Sequence, residues 1–232
     1  MDRLPIVSLI IPVLNEAENI SEIIQHIREL DADGGAEIIV VDGDPEGSTI
    51  NTITDEGVRT VLSEKGRARQ MNRGAALATG DILLFLHADT LLPSHAFALI
   101  QAAMNDKGFV GGAFDLGFNT RRRIFKITET YVFLRTRLTK IPFGDQAIFI
   151  RHHHFEQLGG YRDIPIMEDV ELMKRIRKRG DRIHIIPEKV RTSARRYEQD
   201  GIVYTTIRNW MLQLQYALGV PPERLVRWYK SG

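Results

Sequence analysis

Acidic residues recur directly after apolar segments of this sequence, and these positions are the first candidates for chemistry. The clusters are Asn15-Glu16, Asp42-Gly43-Asp44, His87-Ala88-Asp89 and Glu168-Asp169. Oxygen ligands of this kind suit Mg²⁺ or Mn²⁺ in proteins. If the fold brings the four clusters to one rim, they form a single acid-rich site for a ligand.

Three short apolar runs precede the first three clusters and predict the strands that would position them. The runs cover residues 6–12, 37–42 and 82–87. Nearly continuous apolar runs of this length are typical of strands that are buried on both faces of a parallel sheet. Because ligands bind outside the carboxyl ends of the strands in open parallel sheets, the clusters are expected at one edge of the sheet.

Helical patterns alternate with these strands in the first half of the chain. Asn15 and Glu18 have the spacing of a capping box, which would open a helix with its apolar face between Ile20 and Leu30. Further helices are predicted over residues 66–78 and 93–107, and a weak strand over 59–62. This alternation predicts a parallel sheet with helices on both faces.

The second half of the chain has a less regular pattern. Strands are predicted over 110–118, 146–151 and 182–186, and helices over about 122–138, from near 168, and over 201–218. No internal repeat, low-complexity segment or flexible linker interrupts the sequence. We therefore predict a single α/β domain over residues 1–232.

Five segments of the sequence, taken in order, resemble a known enzyme family. They are PVLNE (12–16), VVDGDPEGST (40–49), GRARQMNRGAALATGD (66–81), LFLHADT (84–90) and MEDVEL (167–172). Together they are similar to the inverting family 2 glycosyltransferases, and most similar to the short, stand-alone bacterial members. The resemblance covers roughly the first 190 residues. It implies the single-domain GT-A fold, a central, mostly parallel sheet flanked by helices.

The resemblance also divides the chain by function. It implies a nucleotide-binding half over about 1–110, an acceptor-binding half over about 111–200 and a C-terminal helical segment over about 201–232. The implied nucleotide-binding residues are Pro12, Asn15, Glu16, Asp42, Arg67 and His87.

In the family, the acid matching Asp42 accepts a hydrogen bond from the base, usually uracil, which favours a UDP-sugar donor. Glu16 would lie beside the nucleoside. Arg67, at a helix N-terminus, would face the phosphates. The structural alternatives are that Asp42 caps a turn and that Glu16 occupies the first turn of a helix.

Asp89 is the metal-binding candidate that the resemblance implies. The family often has Asp-x-Asp at this place, where this chain has His87-Ala88-Asp89. Only the second acid of that pattern is present, so a single carboxylate is expected to bind Mg²⁺ or Mn²⁺ with the pyrophosphate. His87 would bind ribose or Mn²⁺, or serve only as a hydrogen-bonded histidine at a strand end.

Glu168-Asp169 matches the acidic pair that precedes a helix in the family. There, the second acid takes the proton from the acceptor hydroxyl, so Asp169 is the expected general base and Glu168 its catalytic neighbour. The alternative for the pair is capping of the helix. Asp145, within Gly144-Asp145-Gln146, is the candidate for acceptor binding.

Composition and charge exclude several other classes of protein. The formal net charge is +1 and no nucleic-acid-binding motif accompanies the basic residues, so we expect no nucleic-acid partner. The chain contains no cysteine, which excludes disulfides and fits a reducing compartment. No apolar run is long enough to cross a bilayer, and Met1–Pro5 leads directly into a predicted strand with no signal peptide before it. We therefore expect a cytoplasmic protein that could lie on the inner face of the membrane.

Basic residues are concentrated in parts of the second half. The clusters lie at 121–126, 135–140, 174–179 and Arg195-Arg196. They are solvated helix faces or, alternatively, contacts with anionic lipid headgroups or with a lipid-linked acceptor. Trp210, Trp228 and Tyr229 are candidates for interfacial contacts.

Three functions are consistent with this sequence. The first is a metal-dependent glycosyltransferase that moves a sugar from a nucleotide sugar to an unidentified acceptor. The second is a sugar-phosphate nucleotidyltransferase, against which residues 12–16 count because they contain no glycine-rich phosphate loop. The third is a catalytically weak nucleotide-sugar-binding or membrane-adaptor protein, which the replacement of the first metal-site acid by His87 favours.

Overall fold

The computed structural model of the protein describes residues 5–31 and 34–230, without the side chains of residues 196 and 230. The start of the chain, on which we based the expectation about a signal peptide, therefore lies largely outside the described residues, as does the charge of Arg196. Within the described ranges, no helix combines the length and the hydropathy that a membrane span requires.

Strands and helices alternate through the first half of the chain and are less regular afterwards. The strands are β1 (Val7–Val13), β2 (Glu37–Asp42), β3 (Val58–Leu62), β4 (Ile82–Phe85), β5 (Thr90–Leu91), β6 (Phe109–Phe118), β7 (Phe149–Arg151) and β8 (Arg182–Thr192). The helices are α1 (Ile20–Leu30), α2 (Arg67–Ala75), α3 (Ala96–Asn105), α4 (Phe125–Thr139), α5 (His152–Gln157), α6 (Glu168–Lys178), α7 (Arg195–Asp200), α8 (Ile202–Ala217) and α9 (Pro222–Lys230).

One mixed sheet contains the described strands, in the order β3-β2-β1-β4-β7-β6-β8-β5. The neighbours β3, β2, β1 and β4 are parallel, as the apolar runs predict. β7 runs antiparallel to both β4 and β6, and β5 runs antiparallel to β8. The predicted α/β class is confirmed, and the sheet continues through both halves of the chain.

The strand register places the candidate clusters at one edge of the sheet. Val13 of β1 pairs with Asp42 of β2, and Ile10 pairs with Phe85 of β4. The chain segments that follow these three strands therefore leave the sheet side by side, which is the reason that clusters distant in sequence can form one site.

Alternating side chains of the central strands pack into two cores on opposite faces of the sheet. Leu9 and Ile11 of β1 pack with α1 and α3, whereas Ile10, between them in sequence, packs with α2 and α6. All three are fully buried. Burial of such a side chain contributes about 1.5–3 kcal/mol relative to exposure. Covering both faces stabilises the sheet and leaves its edge available for a site.

Two local predictions were wrong, and the C-terminal part of the chain has more helices than the one that was predicted. α1 begins at Ile20, and the predicted capping box of Asn15 and Glu18 is absent. Asn15 has a left-handed backbone (φ 59°). The turn before the helix is closed by the Glu16 carbonyl, which accepts hydrogen bonds from the backbone N–H groups of Asn19 and Ile20. β8 continues to Thr192 because it pairs along β6 as far as Phe118. The C-terminal segment holds α7 and α9 beside the single predicted helix, α8.

The contact of α2 with the sheet leads to a stability prediction. A Cβ at Gly74 would lie 2.5 Å from Ile10 Cγ2 and 3.0 Å from Val41 Cγ2, both in the core. Alanine usually stabilises a helix by roughly 0.5–1 kcal/mol over glycine. Here, however, we expect Gly74→Ala to lower the free energy of unfolding by about 1–3 kcal/mol, because the buried methyl groups cannot move apart. Urea denaturation measures this change.

Gly35→Ala provides the control for that substitution. A Cβ at Gly35 would have no neighbour within 4 Å, so this variant should unfold like the unsubstituted chain. A Gly74→Ala variant that is as stable as the Gly35→Ala variant would contradict the proposed packing.

Candidate active site

A cavity of about 720 Å³ lies at the carboxyl edge of the sheet. The ends of β1 and β4, the starts of α2 and α6, the loop before β7 and the C-terminal helices line it. Most of the sequence-predicted site residues meet there: Pro12, Glu16, Arg67, His87, Asp89, Asp145 and Asp169. Side chains from sequence positions more than 150 residues apart thus share one space.

Three predicted residues lie outside the lining of this cavity. Asn15 is exposed on the turn before α1, because its backbone conformation directs the chain away from the sheet. Glu168 is buried (3% exposed) and forms an ion pair with Arg67. The structure therefore places Asn15 and Glu168 outside the cavity lining, and their predicted roles in nucleotide binding and catalysis stay predictions.

Asp42 is the third, and its carboxylate organises a loop. It is fully buried. One carboxylate oxygen accepts a hydrogen bond from the Asp44 N–H (2.9 Å), and the other accepts bonds from the Thr49 (2.9 Å) and Ile50 (3.2 Å) N–H groups. The structure thus gives Asp42 the turn-capping role that we considered as an alternative. Its contact with a nucleotide base stays a prediction.

Arg67 is the cation at the centre of the acidic rim. It is the first residue of α2, and its Nε lies 3.1 Å from Glu168 Oε1. The negative charge of Glu168, followed by the charges of Asp169, Asp145 and Asp89, raises the pKa of Arg67. One guanidinium therefore interacts with four carboxylates from three places in the sequence, which lowers the repulsion between them.

His87 is neutral at physiological pH. Burial and, as a smaller cause, the positive charge of Arg67 lower the pKa of His87 to about 4, against the opposing effect of Asp89 and Asp169. A neutral imidazole has one ring nitrogen free of its proton, which can accept a hydrogen bond or bind a metal ion. Both predicted roles of His87 therefore remain chemically available.

Backbone N–H groups hold the Asp169 carboxylate in the cavity wall. Oδ2 accepts a hydrogen bond from the Gly144 N–H (2.5 Å), and Oδ1 accepts one from the N–H of Val170 (2.7 Å). Gly144 also provides the space that this arrangement needs: a Cβ there would lie 3.0 Å from His87 Nε2 and 3.3 Å from Asp169 Oδ2. The loop before β7 thus fixes the Asp169 side chain by backbone contacts.

Asp145 is a second carboxylate of this wall, in a more apolar setting. Burial raises the pKa of Asp145 to about 6, against the lowering effect of Arg135. Its buried Oδ1 and the buried Nε of Arg135 have no hydrogen-bond partner among the described atoms. Unsatisfied buried polar atoms are costly in proteins, so both atoms are suited to meet a polar ligand.

Comparison with known proteins identifies the family of this chain. The family model described as Glycosyl transferase family 2 matches residues 8–158. The chain belongs to glycosyl transferase family 2. The match ends before α6, so it covers the sheet edge with Asp89 and Asp145 and does not cover Asp169.

Similar sequences and solved structures agree with this assignment. The chain is 28% identical to a probable glycosyltransferase, YdaM, of Bacillus subtilis over 82% of its own length, and spans 51% of that relative. It is 30% identical to a mycobacterial PGL/p-HBAD biosynthesis glycosyltransferase (Mycobacterium tuberculosis) over 68% of its length and 63% of the relative's. The chain thus spans about half the length of the first of these relatives.

The solved structures confirm the GT-A fold. A mannosyltransferase of Pyrobaculum calidifontis in complex with GDP-Man and Mn²⁺ has a TM-score of 0.62 and 25% identity, covering 79% of this chain and 55% of its own. TarS of S. aureus (residues 1–349) in complex with UDP also has a TM-score of 0.62, at 15% identity, covering 81% of this chain and 60% of its own. The second likeness shows the fold alone.

The donor set of this family 2 domain is compatible with a divalent cation bound together with phosphate. Within the described ranges, no group of three or more His, Asp and Glu side chains has metal-binding geometry. Asp89 is exposed to the cavity, with Thr90 Oγ1 as a hydrogen-bond donor to its Oδ1. Mg²⁺ is often bound by one or two carboxylates plus substrate phosphates and water, and one available carboxylate fits that pattern.

The C-terminal helices complete the cavity, which our sequence analysis did not predict. Their lining side chains are Arg195, Tyr197, Gln199, Thr206, Asn209, Trp210, Leu212, Gln213 and Tyr229. A signal was present in the sequence, because Thr206, Asn209 and Gln213 are spaced as a polar stripe along α8. Of the basic cluster at 135–140, Arg135 is not a solvated surface residue: its Nη2 donates a 2.9 Å hydrogen bond to Gln146 Oε1, and its guanidinium covers the Phe143 ring.

The raised pKa of Asp145 leads to a prediction about pH. The folded protein holds this proton more tightly than the unfolded chain, where the pKa is near 3.8, so Asp145 reduces stability as the pH rises from about 3.8 through about 6. Asp145→Asn cannot ionise. We expect its free energy of unfolding, relative to the unsubstituted protein, to increase across this pH window and to level off above it. Urea denaturation at a series of pH values measures this difference.

Asp163→Asn is the control for the pH experiment. Asp163 is an exposed acid whose pKa Arg69 lowers, so removing its charge should shift the relative stability slightly in the opposite direction. A difference for Asp145→Asn that does not depend on pH would contradict the raised pKa.

Proposed function

We propose that this family 2 chain is a glycosyltransferase that moves a sugar from a nucleotide-diphosphate sugar to an acceptor hydroxyl. One observation carries the proposal: the Asp169 carboxylate, held by two backbone N–H groups, lines the same cavity as Asp89 and Arg67. A fixed proton acceptor, an available metal-binding carboxylate and a cation at a helix N-terminus are the groups that such a transfer needs.

The donor would occupy the side of the cavity formed by β1, β4 and α2. Glu16, Arg67, His87 and Asp89 line this side. Arg67 would neutralise part of the phosphate charge, since it lies at the start of α2 where backbone N–H groups are also directed at an anion. We favour a UDP-sugar because of the family resemblance. The solved relatives contain GDP-Man in one case and UDP in the other.

Asp89 is the residue that would hold a divalent cation, Mg²⁺ or Mn²⁺. Bound together with the pyrophosphate, the cation would neutralise the charge that develops on the leaving nucleotide. His87, which is neutral and lies beside this carboxylate, would complete the polar wall through a hydrogen bond or as a further ligand.

Asp169 would act as the general base, and the reaction would invert the configuration of the sugar. Its two backbone hydrogen bonds fix the direction of the carboxylate. It would accept the proton of the acceptor hydroxyl as the oxygen attacks the anomeric carbon. Glu168 supports this role indirectly, because its ion pair holds Arg67 beside the phosphate position.

The acceptor would enter from the side of Asp145 and the C-terminal helices. Tyr131, Phe143 and Trp210 provide aromatic walls there, and Gln213 provides an amide. Aromatic rings combined with a few polar groups suit a ligand with both apolar and hydroxylated surfaces. A lipid-linked acceptor and a cytoplasmic location, both expected from the sequence, stay predictions.

Removal of the proposed base tests the mechanism. Asp169→Asn keeps an acceptor oxygen for the Gly144 N–H but cannot take up the proton, so we expect kcat to fall by about 10²–10⁴-fold with UDP affinity unchanged. The measurement is nucleotide release from a panel of UDP- and GDP-sugars with Mn²⁺, together with calorimetric titration of UDP. Asp163→Asn, an exposed acid outside the cavity, is the matched control.

If Asp169→Asn releases nucleotide at the rate of the Asp163→Asn control, the assignment of the base is wrong. If neither variant releases nucleotide from any donor although both bind UDP, we would conclude that the chain is a nucleotide-sugar-binding protein of the same fold and not an enzyme.

The proposed metal site is tested by binding alone. Mn²⁺ is expected to strengthen UDP binding to the unsubstituted protein, and Asp89→Ala should remove this increase while leaving the metal-free affinity nearly unchanged. Calorimetric titration of UDP with and without Mn²⁺ measures both quantities. A Mn²⁺ effect that persists in Asp89→Ala assigns the metal to other residues.

A further inference from the structure

Exposed large apolar side chains are concentrated in one part of the described structure. They are Ile124, Ile127, Phe133, Leu134 and Leu138 in or beside α4, Val203, Tyr204, Ile207, Met211, Leu214 and Leu218 in or beside α8, and Trp228 on α9. Elsewhere in the described residues, Leu62 alone has comparable exposure among large apolar side chains. Single exposed apolar side chains are common in soluble proteins, but a concentration of this kind marks an interaction surface.

The exposed positions of α4 and α8 form adjoining stripes. The rings of Tyr131 and Trp210 pack against each other with centroids 4.6 Å apart, which joins the two helices. Residues three, four or seven positions away lie on the same side of a helix. Ile127, Leu134 and Leu138 have this relation to Tyr131, and they are 64%, 53% and 83% exposed.

The same spacing holds on α8. Val203, Ile207 and Leu214 lie seven positions before, three before and four after Trp210, and they are 62%, 49% and 61% exposed. The two stripes therefore meet along the ring pair. We call the surface made by these six residues and Leu218 the α4–α8 face.

The helices α4 and α8 themselves carry mostly positive charge. α8 contains no Asp or Glu. The one acid of α4, Glu129, forms an ion pair with Lys189 (2.6 Å). Three exposed arginines, residues 121–123, precede α4, and the exposed Lys126 lies in its first turn. Within the described chain, no carboxylate lies within ion-pair distance of these four cations.

A basic groove adjoins the other end of α4. It has a volume of about 710 Å³ and is lined by Leu138 of the face and by Lys140, Arg177 and Arg182. Arg177 donates a hydrogen bond to the Thr139 carbonyl, and the Arg182 guanidinium covers the Phe109 ring. Among the described residues, no acid forms an ion pair with Lys140, Arg177 or Arg182.

The acidic side chain that lines this groove is already paired. Asp181 lies 3.0 Å from His154 Nε2 and 3.2 Å from Arg179 Nε. Cations without acidic partners therefore lie at both ends of the apolar stripe on α4, and they match an anionic surface with an apolar interior.

We propose that the α4–α8 face binds the surface of an anionic phospholipid bilayer. Its apolar side chains enter the boundary between headgroups and acyl chains, and the flanking cations contact the headgroup phosphates, with the basic groove at Leu138 accommodating one headgroup. The helices lie along the membrane and do not cross it, since no described helix meets the requirements of a span.

Charge distinguishes the bilayer from a second copy of the chain. In a two-fold dimer, the same patch of both copies meets, so the unpaired cations of one copy approach those of the other without acids to compensate them. An anionic bilayer compensates every cation at the same time. Tyr131 and Trp210 line the candidate active site from the inside, so membrane binding would place the acceptor side of the cavity beside the bilayer.

Vesicle sedimentation with the full chain tests the proposal without depending on catalysis. We expect the protein to sediment with vesicles of phosphatidylcholine and phosphatidylglycerol, less so with phosphatidylcholine alone, and less at high salt. Leu134→Ser/Ile207→Ser should remove most of the binding. Arg122→Glu/Lys140→Glu should weaken the partition coefficient by at least about fivefold, because each cation near an anionic membrane contributes appreciably.

Matched variants outside the face control for general effects of these changes. Leu62→Ser removes an exposed apolar side chain and Arg73→Glu reverses an exposed charge, and both should bind vesicles like the unsubstituted protein. All variants should retain the melting temperature and UDP binding, since the substituted side chains lie outside the donor side of the cavity.

Two results would overturn the proposal. One is an unsubstituted protein that remains in the supernatant with both kinds of vesicle, or a Leu134→Ser/Ile207→Ser variant that binds as well as the Leu62→Ser control. The other is a dimer in sedimentation equilibrium that this double variant converts to a monomer, which would assign the α4–α8 face to a second copy of the chain.

Discussion

The candidate site depends on the positive charge of Arg67, which compensates the negative charges of the surrounding carboxylates. Arg67 lies between carboxylates contributed by three separate segments, and without it their mutual repulsion would oppose the convergence of these segments at the sheet edge. Its bond to the buried Glu168 joins the start of α2 to the start of α6. Glu168 in turn needs this partner, because an uncompensated buried carboxylate is strongly destabilising. The ion pair therefore links the two elements that form opposite sides of the cavity.

Backbone groups also fix acidic side chains at the sheet edge. The N–H of Gly144 fixes Asp169, and the missing side chain of this glycine leaves room for both His87 and Asp169. At the end of β2, Asp42 uses its carboxylate to hold its own loop. The polar residues at the sheet edge thus divide into those that shape the cavity and those that face a ligand. This division gives a family 2 chain with a single acid at the proposed metal site a well-defined arrangement of charged groups.

The C-terminal helices connect the two proposals made for this protein. One side of α8 contributes polar and aromatic groups to the cavity, and another presents an apolar stripe beside α4. Trp210 takes part in both, since it lines the cavity and packs on Tyr131 at the base of the stripe. A surface that binds a bilayer and a site that takes an acceptor would therefore be formed by the same two helices. The family match at residues 8–158 includes α4 but ends before α8.

The sequence by itself determined the α/β class, the parallel strands of the first half and the acids that could serve at the sheet edge. Apolar runs such as residues 37–42 can only be buried, and helical spacing is local, so both are readable without coordinates. Only the tertiary structure decided which acid of each cluster faces the cavity. Glu168 and Asp169 are adjacent in sequence, and their different roles depend on Arg67 and Gly144, partners far away along the chain. The same holds for α8, whose pattern predicts a helix with an apolar side. Whether that side is buried or exposed depends on the neighbours that the fold supplies.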